Sequence, residues 1–254
     1  MSQPTIRKQR IRRSSVKVRL IVFGTLAVLL ILFSVFSEQL TPYDPYLQDL
    51  SNAKAPPSAE HLLGTDRYGR DMLSRVIVGS RTSIFSTLLL VAVITVLGTA
   101  VGVFCGWNGR WMDTVLMRIS DMFLAFPGLV FALAVAGSLG GGLQNAILAL
   151  AAISWPKYAR IARSQTLAQK ETVWMKAAKL SGSSSGKLIF KHILPNIIGP
   201  ILVTAMLDIG TMMMELAALS FLGLGAKPPT AEWGSMMSDT RSLMTTSPWI
   251  TFSP

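Results

Sequence analysis

Ala177-Ala178-Lys179-Leu180-Ser181-Gly182, with Lys187-Leu188-Ile189-Phe190-Lys191-His192-Ile193-Leu194-Pro195 just downstream, decides how the rest of the chain is read. The stretch is basic, rich in small residues and amphipathic, and it sits between two strongly apolar runs. Segments of that composition collect on the cytoplasmic side of a membrane, where Lys and Arg are retained. The runs on either side are therefore read as membrane spans, and the stretch between them as a cytoplasmic segment.

Composition agrees with this reading. The chain has 254 residues, of which 50% are hydrophobic and 15% charged, and its mean hydropathy is +0.47. A soluble domain carries about 25% charged residues. The apolar residues fall in blocks, each near the length that crosses a bilayer. The formal net charge of +11 is assigned to basic loops on one side of the membrane. No nucleic-acid-binding motif accompanies it, so no nucleic-acid partner is expected. Cys105 is the single cysteine and lies in an apolar run, where it serves as a buried spacer. His61 and His192 are far apart and do not form a zinc site. No catalytic set, metal site or cofactor is expected.

Residues 1–19 form a basic arm with Arg7, Lys8, Arg10, Arg12, Arg13, Lys17 and Arg19. The apolar run Leu20 to Phe36 follows. It is long for a signal-peptide core, and Ser34-Val35-Phe36-Ser37-Glu38 offers no small-x-small cleavage site. It is read as a first span with a cytoplasmic N-terminus. Residues 38–81 read as an external loop, so the organisation is an arm at 1–19, a first helix with its loop at 20–81, and a transmembrane domain at 82–254. Further spans are expected from about Ser83 to Gly106, Val115 to Leu139, Leu143 to Tyr158 and Leu194 to Leu216, and a second external loop over 217–247. Both basic segments then lie on the same side. Between Lys157 and His192 the single acid is Glu171, whereas 38–81 mixes Glu38, Asp44, Asp49, Glu60, Asp66 and Asp71 with its arginines.

Gly182-Ser-Ser-Ser-Gly186-Lys187-Leu188 is not a phosphate loop. Its glycines are one residue too close, Leu188 replaces the magnesium-binding Ser or Thr, and no strand precedes it. The segment at about 160–192 reads instead as a pair of short docking helices. Ala177 and Ala178 allow close approach of a partner, Gly182 allows the break between the helices, and Leu188, Ile189, Phe190 and Ile193 supply an anchoring face. An ordinary solvated loop is the plainer alternative.

Five stretches resemble the permease family of peptide and nickel ABC importers. They are Leu63-Gly64-Thr65-Asp66-Arg67-Tyr68-Gly69-Arg70-Asp71-Met72-Leu73-Ser74-Arg75; Met117-Arg118-Ile119-Ser120-Asp121-Met122-Phe123-Leu124-Ala125-Phe126-Pro127; Trp155-Pro156-Lys157-Tyr158-Ala159-Arg160; the segment quoted first; and Leu219-Ser220-Phe221-Leu222-Gly223-Leu224-Gly225 with Pro228-Pro229 and Glu232-Trp233-Gly234. The resemblance covers about residues 62–241. It implies an all-α polytopic bundle working by alternating access, a second permease subunit, two ATPases, an extracytoplasmic solute-binding protein and a cytoplasmic-membrane location. The chain resembles the second permease subunit. Leu207-Asp208-Ile209-Gly210-Thr211-Met212-Met213 and Pro229-Thr230-Ala231-Glu232-Trp233-Gly234 are most similar to the nickel branch, which puts nickel or a metal chelate first as substrate and di- or oligopeptides second. The family's docking acid is replaced by Lys176. The family also implies a sixth span. Pro248 to Pro254 reads as the start of one, and the transmembrane domain is expected to be C-terminally incomplete.

Thr65, Asp66, Gly69, Arg70 and Asp71 are expected to build a structured cap at the pathway mouth, with Asp66 and Asp71 each paired to an arginine. Asp208 and Glu215 lie in an apolar span, where ionisable groups face protein or water. With Met212 between them they share a helical face. Two readings stand open for them: the wall of a translocation pathway, or a polar contact with the partner permease. A stand-alone secondary transporter or channel is the rival from another class, and it has no use for a basic docking segment of this kind. A membrane enzyme would need convergent catalytic residues that the chain lacks.

Overall fold

The computed structural model describes residues 5–254, with side chains from Lys17 onward. Most of the basic arm, including Arg7, Lys8, Arg10, Arg12 and Arg13, thus lies outside the described side chains. Every named element is helical: α1 Thr5–Val35, α2 Ser37–Leu40, α3 Met72–Asn108, α4 Arg110–Leu124, α5 Gly128–Ser138, α6 Leu143–Lys170, α7 Val173–Leu180, α8 Ser185–Leu188, α9 Leu194–Phe221, α10 Trp233–Thr240 and α11 Pro248–Phe252. A wide helical turn, Ile189–Ile193, joins α8 to α9. The molecule is an all-α helical membrane bundle.

Among the described residues, three helical stretches are long and apolar enough to cross a membrane: Lys17–Val35, Met72–Asn108 and Ser185–Phe221. α4 and α5 make a fourth only if taken together, because they meet at 91°. This corrects the expected straight span from Val115 to Leu139. Pro127 stands at the bend, and its φ of −61 with ψ of 118 is extended backbone that interrupts the helix. The apolar content runs through the corner unbroken, so hydropathy alone does not show it.

Two other boundaries move. The second span begins at Met72 rather than Ser83, because Asp71 caps it, its carboxylate accepting from Ser74 N at 2.8 Å. The fourth helix does not stop at Tyr158 but runs to Lys170. Its basic residues are neutralised from elsewhere in the fold. Arg163 is bound in bidentate fashion by Asp113 at 2.5 and 2.6 Å, and Arg160 pairs with Asp121. Lys170 donates to the Trp107 carbonyl at 2.7 Å and the Gly106 carbonyl at 3.3 Å, closing the end of α3.

The core is the α3–α6 seam, with α5 and α9 packed beside it. Gly98, Gly102 and Gly106 form a smooth stripe on α3. A Cβ on Gly98 would lie 2.5 Å from the Trp155 carbonyl, and one on Gly106 would lie 2.8 Å from Thr166 Cβ. Without side chains at these positions the two backbones approach closely, as small-residue motifs permit in membrane helices. Leu90, Ile94, Leu150, Tyr158, Ile197, Leu216 and Leu219 fill the space around the seam and are fully buried or nearly so. α1 stays peripheral. It is held near its C-terminal end, where Ser34 Oγ donates to Ser80 Oγ at 3.3 Å, and its apolar side chains from Leu20 to Phe33 remain exposed.

Candidate translocation cleft, external cap and docking segment

The external motif builds a cap whose buried charges are satisfied internally. Asp66 accepts from Arg70 Nε at 2.6 Å and from the backbone N–H groups of Tyr68 and Arg70 at 2.8 and 3.0 Å. Arg75 lies 3.8 Å from the same carboxylate and donates to the Pro45 carbonyl at 3.1 Å. Thr65 Oγ1 accepts from Ala55 N at 2.8 Å and donates to the Asn52 carbonyl. Gly69 takes φ +75 and presses on the Asp49 carbonyl, so a side chain there would be both strained and overlapped. Asp66 thus has its expected arginine. Asp71 does not: it accepts from Ser74 Oγ at 2.6 Å and contacts His61 Nδ1 at 2.9 Å. The α3 N-terminus draws this carboxylate away from the arginines.

The second external segment completes the cap. Glu232 is buried and accepts from Gly234 N at 3.0 Å and Ser235 N at 2.8 Å. Trp233 Nε1 donates to the Val76 carbonyl at 3.0 Å. Residues 248–252, expected as the start of another span, form the short helix α11 folded onto this cap. Ile250 is fully buried there, and Thr251 Oγ1 donates to the Thr240 carbonyl at 2.9 Å.

Asp208, Met212 and Glu215 do share a face of α9, and the structure supplies the groups opposite them. They line a cleft of about 270 Å³ together with Lys157 of α6, Phe126 at the α4–α5 bend, and Thr211. Lys157 Nζ donates to Asp208 Oδ1 at 2.6 Å, and the Tyr158 hydroxyl donates to Asp208 Oδ2 at 2.9 Å. Asp208 is 5% exposed, Met212 is buried and Glu215 is half-buried. Among the described residues Glu215 has no ion-pair partner. Lys157 and Tyr158 were missed as site residues because they lie about 50 positions from Asp208, and only the fold brings them together. Among the described residues no three His, Cys, Asp or Glu side chains gather at one point.

The docking segment consists of two short helices, and Gly182 between them has φ +80. Its expected residues separate into two groups. Lys176, Ala177, Gly182 and Phe190 are exposed. Leu188, 1% exposed, is inserted into the bundle core with Met175 and Ile193, and Ala178 packs against that core. Leu188 therefore anchors the segment to its own bundle and is not presented to a partner. Ala178 belongs partly to the same contact, which leaves Ala177, Val173 and Leu180 as the outward surface. Lys176 lies 2.9 Å from Glu171. Its ammonium, by hydrogen bond and charge, holds the Glu171 carboxyl below the usual carboxylate range.

Residues 98–252 match the family described as the binding-protein-dependent transport system inner membrane component. The chain belongs to this family. It is 42% identical over 224 residues to the dipeptide transport system permease protein of Alkalihalophilus pseudofirmus, covering 88% of this chain and 74% of that one. It is 38% identical to the nickel transport system permease protein of Escherichia coli, over 95% of this chain and 86% of that one. The glutathione transport system permease protein of Pectobacterium atrosepticum is 37% identical over 91% of this chain and 77% of its own. These relatives are transport permease subunits and not enzymes, and the chain is an inner-membrane component of an ABC importer of the peptide, glutathione and nickel type.

Proposed function

We propose that this subunit carries small peptides inward, with nickel or a metal chelate as the second reading. The observation that carries the order is the cleft between α6, α9 and the α4–α5 bend. Among the described residues it presents the Lys157–Asp208 pair and, beside it, the Glu215 carboxylate with no ion-pair partner, all within about 270 Å³, a wall suited to a solute with a single cationic end. A bare divalent cation is better held by several converging carboxylates or imidazoles. The nickel reading is kept because the nickel permease relative aligns over 95% of this chain.

In the proposed assembly, this chain pairs with a second permease, two ATPases seat on α7 and α8, and a solute-binding protein delivers cargo to the external cap. The basic arm and the 157–192 segment face the cytoplasm, following their charge. ATP-driven closure moves the docking segments, and the bundles rock to open the cleft to one side and then the other. The domain organisation follows: a cytoplasmic arm at 1–19, a first helix and external loop at 20–81, and the transmembrane domain beyond.

Reconstituted complex in proteoliposomes tests the substrate. ATP-dependent uptake of a labelled dipeptide, with no uptake of labelled nickel ion, is the expected result, and the reverse overturns the peptide reading. A single cysteine placed by Lys179→Cys in a Cys105→Ala background tests the orientation. It should resist an impermeant thiol reagent in intact cells and react after permeabilisation.

A further inference from the structure

Three ionisable side chains line the cleft, and they are not equivalent. Both oxygens of Asp208 are occupied, one by Lys157 at 2.6 Å and the other by Tyr158 at 2.9 Å. Asp208 is 5% exposed and is thereby closed to a solute. Lys157 is half-exposed along its side chain, but its charge is compensated by that buried carboxylate. Glu215, about two turns further along α9, faces the same cleft with no ion-pair partner among the described residues. The remaining lining groups are Phe123, Leu124, Phe126, Ile153, Ser154 and other uncharged residues. One uncompensated negative charge is left, and it stands in a wall of low polarity, where it is poorly screened.

We infer that Glu215 is the specificity-determining residue of the cleft, accepting the cationic end of the passing solute, while the Lys157–Asp208 pair keeps the other two charges from competing for it. The inference rests on the cleft being the pathway. The recognised chemistry is a positive charge. The peptide reading supplies it as an N-terminal ammonium that donates hydrogen bonds to the carboxylate, and the nickel reading supplies it as a metal cation.

The test compares wild-type and Glu215→Gln complexes in proteoliposomes with the same ATPases and binding protein, so the ratio of uptake rates isolates the permease. Gln matches the shape of Glu and removes no ion pair, and co-purification of the ATPases confirms assembly. At pH 7 uptake of a labelled dipeptide should fall about tenfold, the order expected for one charge-assisted hydrogen bond. Glu215→Asp, which keeps the charge, should recover most of the rate. At pH 9, above the α-amino pKa of about 8, the gap between wild type and Glu215→Gln should narrow severalfold, because the solute's amino end is then largely neutral while its carboxylate stays ionised at both pH values. A ratio near one at pH 7, or a tenfold loss that is the same at both pH values, overturns the role of Glu215 and leaves the peptide reading standing. If wild type moves labelled nickel and no dipeptide, the peptide reading falls instead. The nickel arm then decides the inference: a tenfold loss in Glu215→Gln keeps it, and unchanged nickel uptake overturns it.

Discussion

The cap built on the Leu63–Arg75 motif and the proposed docking segment at α7 and α8 place their side chains in opposite ways. In the cap, Asp66, Arg70, Asp71, Ser74, Arg75 and Glu232 are buried, and each finds partners within the chain. In the docking segment, Val173 and Leu180 are 84% and 90% exposed, and the ion pair of Lys176 with Glu171 lies open to solvent. Burying polar groups is tolerable only when they are satisfied, so the cap is a finished piece of structure. Apolar side chains this exposed outside the spans fit the proposed docking surface. Damage to the cap should therefore appear as lost folding, and damage to the docking surface as lost coupling in a folded protein.

The largest effect is expected at Asp66. Asp66→Ala leaves Arg70 and Arg75 buried without their carboxylate, and breaking a buried pair in this way costs about 3–5 kcal/mol. Thermal unfolding in detergent should show a large drop in Tm and poor recovery of the complex. An unchanged Tm would mean that the cap is a solvated loop.

Next is the seam that joins the two regions. A Cβ at Gly102 would lie 2.7 Å from Ala162 Cβ, so Gly102→Leu must force α3 from α6. Overpacking costs about 1–3 kcal/mol, and assembly with the partner subunits should decline. Gly109→Ala, just past the end of the same helix, meets no neighbouring atom and is strained only by its φ of +62. It should be the milder variant in the same Tm measurement.

Ala177→Trp sharpens the comparison from the other side. Ala177 is exposed whereas Ala178 leans on the core, so a bulky residue at 177 disturbs the partner and spares the fold. Affinity for the ATPase should fall about tenfold, equivalent to ~1.4 kcal/mol, with Tm unchanged. A loss of Tm equal to that of Asp66→Ala would erase the distinction between the two regions.

The smallest effect belongs to Lys176. Because the folded pKa of Glu171 is depressed, the contribution of this pair is present above the ordinary carboxylate pKa and fades as pH falls through the lowered value. Lys176→Glu should abolish that acid-side dependence and return the Glu171 pKa upward. The pair is fully solvated, so Tm at neutral pH should not change measurably. Coupling to the ATPase should persist, because the substitution restores the acid implied by the family resemblance.

Much of this arrangement was legible before the structure. Apolar runs, basic asymmetry and the Leu63–Arg75 motif identify the bundle, its basic segments and the cap. The breaks in the docking segment follow from Gly182. What escaped is non-local. Lys157, Arg160, Arg163 and Lys170 look like loop residues, yet they are helical because acids and carbonyls distant in sequence receive them. The corner at Pro127 hides in uniform hydropathy. The Gly98-x-x-x-Gly102-x-x-x-Gly106 spacing was available in the sequence and marks the seam. Leu188 could not be told from an exposed anchor, because one apolar residue serves an inner or an outer contact equally well.

The unbroken course of α6 has a mechanical meaning. Its 28 residues span about 40 Å, at 1.5 Å per residue, with Pro156 inside the helix, and the glycine stripe of α3 touches it from Trp155 to Thr166. The contact is a fulcrum set toward the end of α6 that leads into α7. From Trp155 back to Leu143 the free arm measures about 18 Å. A tilt of about ten degrees about that fulcrum swings the outer tip by roughly 3 Å, about the width of a water molecule, while the short arm beside α7 barely travels. In the proposed cycle, a small push at the docking segment is thereby geared up into a larger displacement of the turn at Gly140–Gly142.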